Sequence, residues 1–241
     1  LLRARVVARS PFSATFSGTI GTGIPDRRGA IELSKGLARG GVLFAAHTRA
    51  ADDWDSAAGE VFNSGYSDHG FLGRFEHKAG PGVFSAAWET DMGRDIERPR
   101  NNSQTVRFYY PTENSHRFTT GYEAGNVAGF NRVGFTGFFG TFDQRTDQDR
   151  FATATTGRII ERADIEARDF HVRGYGQRLL GRARLELGVD LNGRAGLHAV
   201  DDLITYNLAG DVVSDRPNVS IDDANRADTG AYAQIDTAVT P

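Results

Sequence analysis

The chain has 241 residues, with 28 Lys and Arg, 31 Asp and Glu, 29 Gly and no Cys. Its net charge of −3, mixed along the chain, gives no sign of a nucleic-acid surface, and the lack of cysteine excludes disulfides and thiolate metal sites. No run of about 18 apolar residues is present, which excludes a transmembrane helix but leaves a membrane β-barrel open.

Strand patterns recur along the whole chain, and helix patterns are scarce. Alternation of apolar and polar residues predicts about eleven strands of roughly 8 to 15 residues. The clearest of them lie at 1–10, 42–46, 70–78, 83–90, 116–123, 131–143, 163–174, 182–197 and 229–237. The only candidate for a short turn of helix is SAAGEVF at 56–62.

The strand RARLELGVDLNGRAGL at 182–197 shows the alternation most cleanly. One face carries Ala183, Leu185, Leu187, Val189 and Leu191, and the other carries Arg182, Arg184, Glu186, Gly188 and Asp190. A soluble sandwich buries the apolar face, whereas a membrane barrel turns it to lipid and turns the charges to a wet lumen. This strand alone leaves both orientations open.

The connections between strands favour the barrel. Tight connections at 37–41, 79–82, 123–129 and 175–181 alternate with long polar ones at 51–68, 92–115, 144–161 and 201–228. Outer-membrane barrels have short periplasmic turns and long extracellular loops, and their strands are longer than those of most globular proteins. We therefore predict an all-β, antiparallel, up-and-down transmembrane barrel with Arg182, Arg184, Glu186 and Asp190 facing the lumen. The competing interpretation is a large soluble β-sandwich or propeller.

Several segments resemble the barrel of TonB-dependent outer-membrane receptors. LGVDLNGRAGL at 187–197 is similar to a strand that climbs to a long surface loop in that family. Arg226, Asp228, Gly230 and Tyr232, within DDANRADTGAYAQID, resemble the polar start of the following strand. FNSGYSDHGFLGRFEH and RDIERPRNNSQTVRFYYPTENSHRFTTGYE also resemble such barrel segments.

The resemblance implies a barrel of 22 strands, an N-terminal plug and a box that engages TonB. Residues 1–241 then form one segment of the barrel, about half of it, and the plug, the TonB box and the remaining strands are absent. The implied function is TonB-energised uptake of a scarce nutrient, such as a ferric siderophore or cobalamin, in the bacterial outer membrane. The expected partners are the TonB complex through the missing N-terminal region, outer-membrane lipid, lipopolysaccharide and the nutrient. The alternative is a soluble, exported β-sandwich that binds glycans through its loop aromatics.

One long connection combines arginine with aromatic residues. Arginine forks grip carboxylate, phosphate and catecholate oxygens, and tyrosine rings stack on flat ligands. The candidate ligand-binding residues are Arg98, Arg100, Asn101, Arg107, Tyr109 and Tyr110, together with Trp54 from the preceding long connection. The alternatives are that these charges pair with one another or with lipopolysaccharide phosphates, and that Trp54 belongs to an interfacial aromatic girdle.

Metal and catalytic signals are weaker. Asp52, Asp53 and Asp55 could bind Ca²⁺ through carboxylate oxygens, although a solvated loop has the same composition. No other cofactor is predicted, because the six histidines show no ligand spacing. Ser115 stands next to His116 without an identifiable third partner, and the sequence has no nucleophile elbow or phosphate-binding loop. We predict that the protein is not an enzyme.

Overall fold

The computed structural model describes residues 12–21, 26–99 and 103–237, and these residues are folded almost entirely as β-strands. The predicted strand at 1–10 lies outside the described residues. The strands are β1 (Ser13–Ile20), β2 (Asp26–Leu37), β3 (Gly40–Ala51), β4 (Trp54–Ser56), β5 (Gly59–Val61), β6 (Tyr66–Ala79), β7 (Gly82–Glu97), β8 (Val106–Val127), β9 (Phe130–Arg150), β10 (Ile159–Leu180), β11 (Ala183–Tyr206) and β12 (Val212–Thr237). The helical turn predicted at 56–62 is wrong, because β4 and β5 form a small hairpin there.

Ten strands make one antiparallel sheet in the order β1-β2-β3-β6-β7-β8-β9-β10-β11-β12, and β4-β5 forms a separate pair. Each strand of the large sheet pairs with the strand before it and the strand after it along the chain. The predicted antiparallel up-and-down meander is therefore confirmed. Within the described residues, β1 and β12 are the two edges of this sheet.

Short and long connections alternate as predicted. At one end of the sheet, two-residue turns lie at 38–39, 80–81, 128–129 and 181–182. Gly80, Gly129 and Gly181 occupy three of these turns with φ of 58°, 82° and 63°, a region that side chains disfavour. Arg182 lies in the last turn, so the predicted strand alternation holds only from Ala183 onwards.

The long connections are shorter in the structure than the sequence predicts. From β3 onwards, the connections at the other end of the sheet cover only 52–65, with the small hairpin inside it, and 98–105, 151–158 and 207–211. The polar residues on either side continue the strands through backbone pairing, and β12 reaches 26 residues. The segment from Arg226 to Tyr232 consequently lies in the middle of β12 rather than at its start.

The two faces of the sheet differ in chemistry. Residues directly opposite each other in antiparallel strands share a face. Trp88, Phe118, Phe139 and Phe170 form one such row across four strands, and Trp88 and Phe139 are 54% and 50% exposed. We call the face that contains Phe139 the apolar face. Arg184, Glu186 and Asp190 project from the opposite face, which we call the polar face.

The apolar face changes character at one level of the sheet. On β9 it carries Val133, Phe135, Gly137, Phe139 and Thr141, and then Asp143, Arg145, Asp147 and Asp149. The first group spans nine residues, or roughly 30 Å of strand at about 3.3 Å per residue. We call this level the belt and the charged level beyond it the rim. The neighbouring strands change character one row earlier, since His116 on β8 and Arg168 on β10 lie opposite Thr141.

The described residues enclose little apolar core. The buried apolar residues are Leu43, Ala51, Ala124, Ile160, Ala167 and Ala199, of which four are alanine. The accessible surface is 15479 Å², whereas a compact monomer of 26.2 kDa exposes roughly 10,600 Å². No second sheet covers the apolar face in the part of the chain that the structure describes. The described residues also include no helix with the length and hydropathy needed to cross a membrane.

Candidate functional site

Strand alternation divides the predicted arginine and tyrosine cluster between two faces. Tyr109 and Tyr110 are neighbours on β8, so their side chains point to opposite sides of the sheet. The Arg107 Cζ atom lies 3.9 Å from the centre of the Tyr109 ring, and the Arg98 Cζ atom lies 4.6 Å from the centre of the Tyr110 ring. The structure thus makes two separate cation–π pairs. Arg100 and Asn101 lie outside the described residues.

The register assigns each pair to its face. Tyr109 lies opposite Asp147 and Arg107 lies opposite Asp149, both on β9. Since β9 pairs with β10 without a bulge from Arg132 to Arg150, Asp147 and Asp149 share the face of Phe139. Arg107 and Tyr109 therefore lie on the apolar face at the level of the rim. The register shifts between Tyr109 and Thr112, but Ile96, the partner of Tyr110 on β7, lies over Gly93 on the polar face. The Arg98–Tyr110 pair therefore belongs to the polar face.

Ion pairs cover the carboxylates of the rim. The Asp147 Oδ1 atom lies 3.3 Å from Arg145 Nε and 3.2 Å from Arg162 Nε, and Arg158 donates to both oxygens of Asp149. Asp147 and Asp149 are only 5% and 4% exposed. Burial raises the pKa of the Asp147 carboxyl, and the Arg145 guanidinium only partly offsets this effect. The rim is thus a closed network of paired charges.

The sequence did not predict this network, because 144–161 has the composition of a connection. A signal is present in QRTDQDR, where Arg145, Asp147 and Asp149 recur at every second position. Period-two alternation of charges is compatible with a strand as well as with a loop. Arg158 lies in the connection before β10 and Arg162 lies near the start of β10, and only the strand pairing reveals that they are close to Asp149 and Asp147.

The long connections contact one another at the rim end of the sheet. The Asn63 side chain donates to the Ser103 carbonyl at 2.9 Å, and the Phe151 N–H donates to the Thr105 carbonyl at 2.9 Å. The Tyr206 N–H donates to the Arg158 carbonyl at the same distance. Ser103 and Thr105 therefore join the described parts of connections 52–65 and 151–158 beside the ends of β8 and β9.

The three predicted calcium ligands have different surroundings. The Asp53 carboxylate accepts the backbone N–H groups of Asn63, Ser64 and Gly65 at 3.1, 2.6 and 3.0 Å. Burial raises the pKa of Asp53, but hydrogen bonds from these N–H groups outweigh it and hold the pKa below its usual value. Asp52 pairs instead with Arg27 at 3.3 Å, and Asp55 is exposed on β4.

The structure therefore gives Asp53 a role in holding the hairpin connection. In the stretches that the structure describes, no three His, Asp or Glu side chains are placed to hold a metal ion. Calcium binding by Asp52, Asp53 and Asp55 stays a prediction. Trp54 lies on the same hairpin, opposite Val61, and its backbone N–H donates to the Ser64 hydroxyl at 3.1 Å.

The predicted lumen residues take part in a hydrogen-bonded polar face. Arg184 pairs with Asp236 at 2.6 Å, and Glu186 accepts from Gln177 at 2.7 Å and from the Tyr232 hydroxyl at 2.6 Å. The Tyr232 ring lies over Gly188, where a side chain would collide with it. Asp190 lies opposite Gly230 on β12 and opposite Arg173 on β10.

A second tyrosine repeats this arrangement two strands away. Tyr175 lies over Gly134, its partner on β9, and its hydroxyl donates to Glu123 on β8 at 3.2 Å. The glycine lets a tyrosine reach across one strand to a carboxylate on the next. Such pairs escape sequence reasoning because the tyrosine and glycine are about 40 residues apart in the chain, and only the register reveals them.

Ser115 and His116 do not form a catalytic pair with each other. As neighbours on β8 they point to opposite faces, and the His116 Nδ1 atom lies 2.7 Å from the Thr90 hydroxyl.

No protein-family model and no curated protein matches the chain.

Proposed function

We propose that this chain forms part of the wall of a bacterial outer-membrane β-barrel, and that the barrel is a receptor of the TonB-dependent type. The observation that supports the proposal most directly is that the sheet exposes its apolar face. Large apolar side chains such as Trp88 and Phe139 are exposed on one face, and paired charges such as Arg184 and Asp236 occupy the other. Water disfavours such an exposed apolar face, whereas lipid favours it.

The height of the belt supports this orientation. Nine residues of β9 span roughly 30 Å along the strand. If the strand is tilted by about 40° from the membrane normal, its height along that normal is roughly 23 Å. Transmembrane barrels carry an apolar band about 25 Å tall, crossed by tilted strands of about 9 to 11 residues. The belt therefore has the height that a bilayer requires, and the rim then lies at the level of the lipopolysaccharide head groups.

In this proposal the polar face lines a wet passage. Arg184, Glu186 and Asp190 face the lumen, β1 and β12 pair with further strands of the barrel, and a plug domain elsewhere in the protein engages the TonB complex. A 22-stranded closure would make the ten strands rather less than half of the wall. Nothing in uptake requires a bond to be made, so the protein acts as a receptor and not as an enzyme.

The ligand in this proposal is a scarce nutrient such as a ferric siderophore or cobalamin. Of the predicted ligand-binding residues, Arg98 and Tyr110 are on the polar face at the mouth of the passage. A guanidinium over an aromatic ring suits an oxygen-rich, flat ligand. Arg107 and Tyr109 point outwards and belong to the rim network, which supports the alternative role of contact with lipopolysaccharide.

The test is a pair of matched substitutions in the full-length protein. Leu187 lies in the belt and Leu208 in connection 207–211, and they are 42% and 63% exposed. Arginine costs about 2 to 4 kcal/mol at the middle of a bilayer and less towards its edges, and Leu187 lies in the same cross-strand row as Val133. Leu187→Arg should therefore reduce recovery of the barrel in the outer membrane. Leu208→Arg should leave recovery unchanged. The readouts are membrane fractionation and heat-modifiable mobility in a gel.

A soluble protein would give the opposite pattern. If the wild type is recovered without detergent and shows no mobility shift on boiling, the barrel proposal is wrong. The apolar face must then pack against another layer, as in an exported β-sandwich that binds glycans through its connections. Leu187→Arg would in that case lower stability in solution rather than membrane assembly.

A further inference from the structure

A niche opens on the polar face over Gly140. One cross-strand row places Arg117 on β8, Gly140 on β9 and Asp169 on β10 opposite one another. Because Gly140 has no side chain, it leaves a gap between Arg117 and Asp169. Strands two apart are separated by roughly 9.5 Å, so the gap is wide enough for a small ring. The row continues to Glu89 on one side and to Arg194 on the other.

Two phenylalanines close the niche along the strand. Phe138 and Phe142 flank Gly140 at two residues on either side, so all three share the polar face. The His171 ring stacks on the Phe138 ring, with ring centres 5.8 Å apart and an interplanar angle of 5°. The Arg117 Cζ atom lies 5.3 Å from the centre of the Phe138 ring. The cavity is partly open and has a volume of about 300 Å³.

The charges of the niche are only partly paired. Arg194 donates to both oxygens of Asp169 at 2.7 and 2.9 Å, which neutralises that carboxylate. Arg117 and Glu89 lie opposite each other but make no ion pair or hydrogen bond with any residue in the described part of the chain. The niche therefore offers one unused donor fork beside one unused carboxylate acceptor.

We propose that this niche binds a neutral sugar ring. Sugar hydroxyls both accept and donate, so one ring can use the Arg117 guanidinium and the Glu89 carboxylate together. The phenylalanine rings supply apolar walls for the C–H faces of the sugar. The charged lining contains two guanidinium groups and three carboxylates, with Asp91 as the third, and this balance disfavours an anionic ligand. A cavity of this size lies at the lower end of small-molecule sites, which suits one or two sugar rings.

The proposal does not depend on the membrane assignment, because the niche exists whichever medium covers the apolar face. The experiment is binding of the full-length protein to an array of neutral, anionic and cationic oligosaccharides. Binding to at least one neutral glycan is expected for the wild type. Arg117→Ala and Glu89→Gln should each weaken that binding about tenfold or more, because each removes a hydrogen bond to a charged group.

Arg132→Ala is the matched control, since Arg132 lies on the same face of β9 and is paired with Glu123. It should bind the neutral glycan as the wild type does. Selective binding of anionic glycans that Glu89→Gln strengthens would overturn the proposal, and so would binding of cationic glycans that Arg117→Ala strengthens. An array without any bound glycan would overturn it as well, while membrane recovery of the same protein reports separately on the barrel.

Discussion

The belt and the rim occupy the same face of the same strands, yet the belt exposes apolar side chains whereas the rim buries charged ones. On β9, Phe139 in the belt is apolar and exposed, whereas Asp147 and Asp149 in the rim are charged and buried. The backbone pairing with β10 is continuous across both levels, so backbone geometry does not cause the change. The difference lies in the surroundings that each level is suited to meet. Lipid accepts exposed rings without partners, and a polar interface requires paired charges.

Packing in a soluble core does not explain why one face changes from apolar to charged residues along its strands. The inner face of a sandwich is apolar along the whole packed length of a strand, and its charges stand on the opposite face. Here the last large apolar residues of the belt on β8, β9 and β10 are Phe118, Phe139 and Phe170, which lie opposite one another, and polar residues follow on all three strands. The belt is therefore a property of the sheet as a whole, and single substitutions at its two levels should have very different consequences.

The largest expected effect comes from a charge in the belt. Phe139→Arg should impair assembly of the barrel strongly, because it sets an unpaired guanidinium inside the apolar band, where the cost rises to about 2 to 4 kcal/mol at the middle. The matched control is Phe151→Arg, because Phe151 is also exposed but lies in connection 151–158 beyond the rim. Membrane recovery measures both. Equal recovery of the two variants would show that the belt has no special environment.

A smaller effect is expected from the rim. Asp149→Ala should lower the free energy of unfolding by about 2 kcal/mol, because it removes the carboxylate that binds the Arg158 guanidinium in a bidentate manner. Asp164→Ala is the control, since the Asp164 side chain is only half-buried and its contact with Arg145 is as long as 4.0 Å. Denaturant unfolding of the protein in detergent measures both changes. If Asp164→Ala costs as much as Asp149→Ala, the rim is not a paired network.

The hairpin connection provides a third and more local comparison. Asp53→Ala should release the N–H groups of Asn63, Ser64 and Gly65, and hydrogen exchange of these amides should rise about tenfold. Asp55→Ala, on the same hairpin, should leave their exchange unchanged. Unaltered exchange in Asp53→Ala would show that other contacts hold the connection.

The pKa of Asp53 adds a dependence on pH. Because its folded value is lowered, the stabilisation is complete above the ordinary aspartate pKa of about 3.9 and is lost as the pH falls through the lowered value. Exchange protection of Ser64 and Gly65 should therefore persist at pH 5 to 8 and decline only in stronger acid. Loss of protection near pH 6 would indicate a different titrating group.

The sequence predicts the parts of this fold that have a local cause. Gly80, Gly129 and Gly181 mark two-residue turns because they adopt positive φ, and the alternation from Ala183 to Leu191 marks a strand because successive side chains point to opposite faces. Both signals are visible within ten residues. The order of the strands then follows, since a two-residue turn must join antiparallel neighbours.

The rest of the fold depends on pairing between distant residues. The ends of β8 to β12 have the polar composition of loops, and only hydrogen bonds to a neighbouring strand make them strands. The division of Tyr109 from Tyr110 likewise requires the register with β9, and the niche over Gly140 requires three strands in register. A search for charge and aromatic content therefore finds the segment 94–110 but cannot tell which of its residues share a face.

The smallest expected effect on stability, and the sharpest test of the two faces, comes from the divided arginines. Arg98→Ala removes one cation–π contact, at a cost of about 1 kcal/mol or less, whereas Arg107→Ala removes a cation–π contact and the ion pair with Glu97. Arg98→Ala should nevertheless reduce growth on ferric siderophores or cobalamin, because Arg98 and Tyr110 are on the face that we assign to the passage. Arg107→Ala should leave growth unchanged, because Arg107 faces outwards and pairs with Glu97. Growth assays under nutrient limitation, with outer-membrane levels of both variants matched, measure the difference. If Arg107→Ala impaired uptake and Arg98→Ala did not, the assignment of the two faces would be reversed.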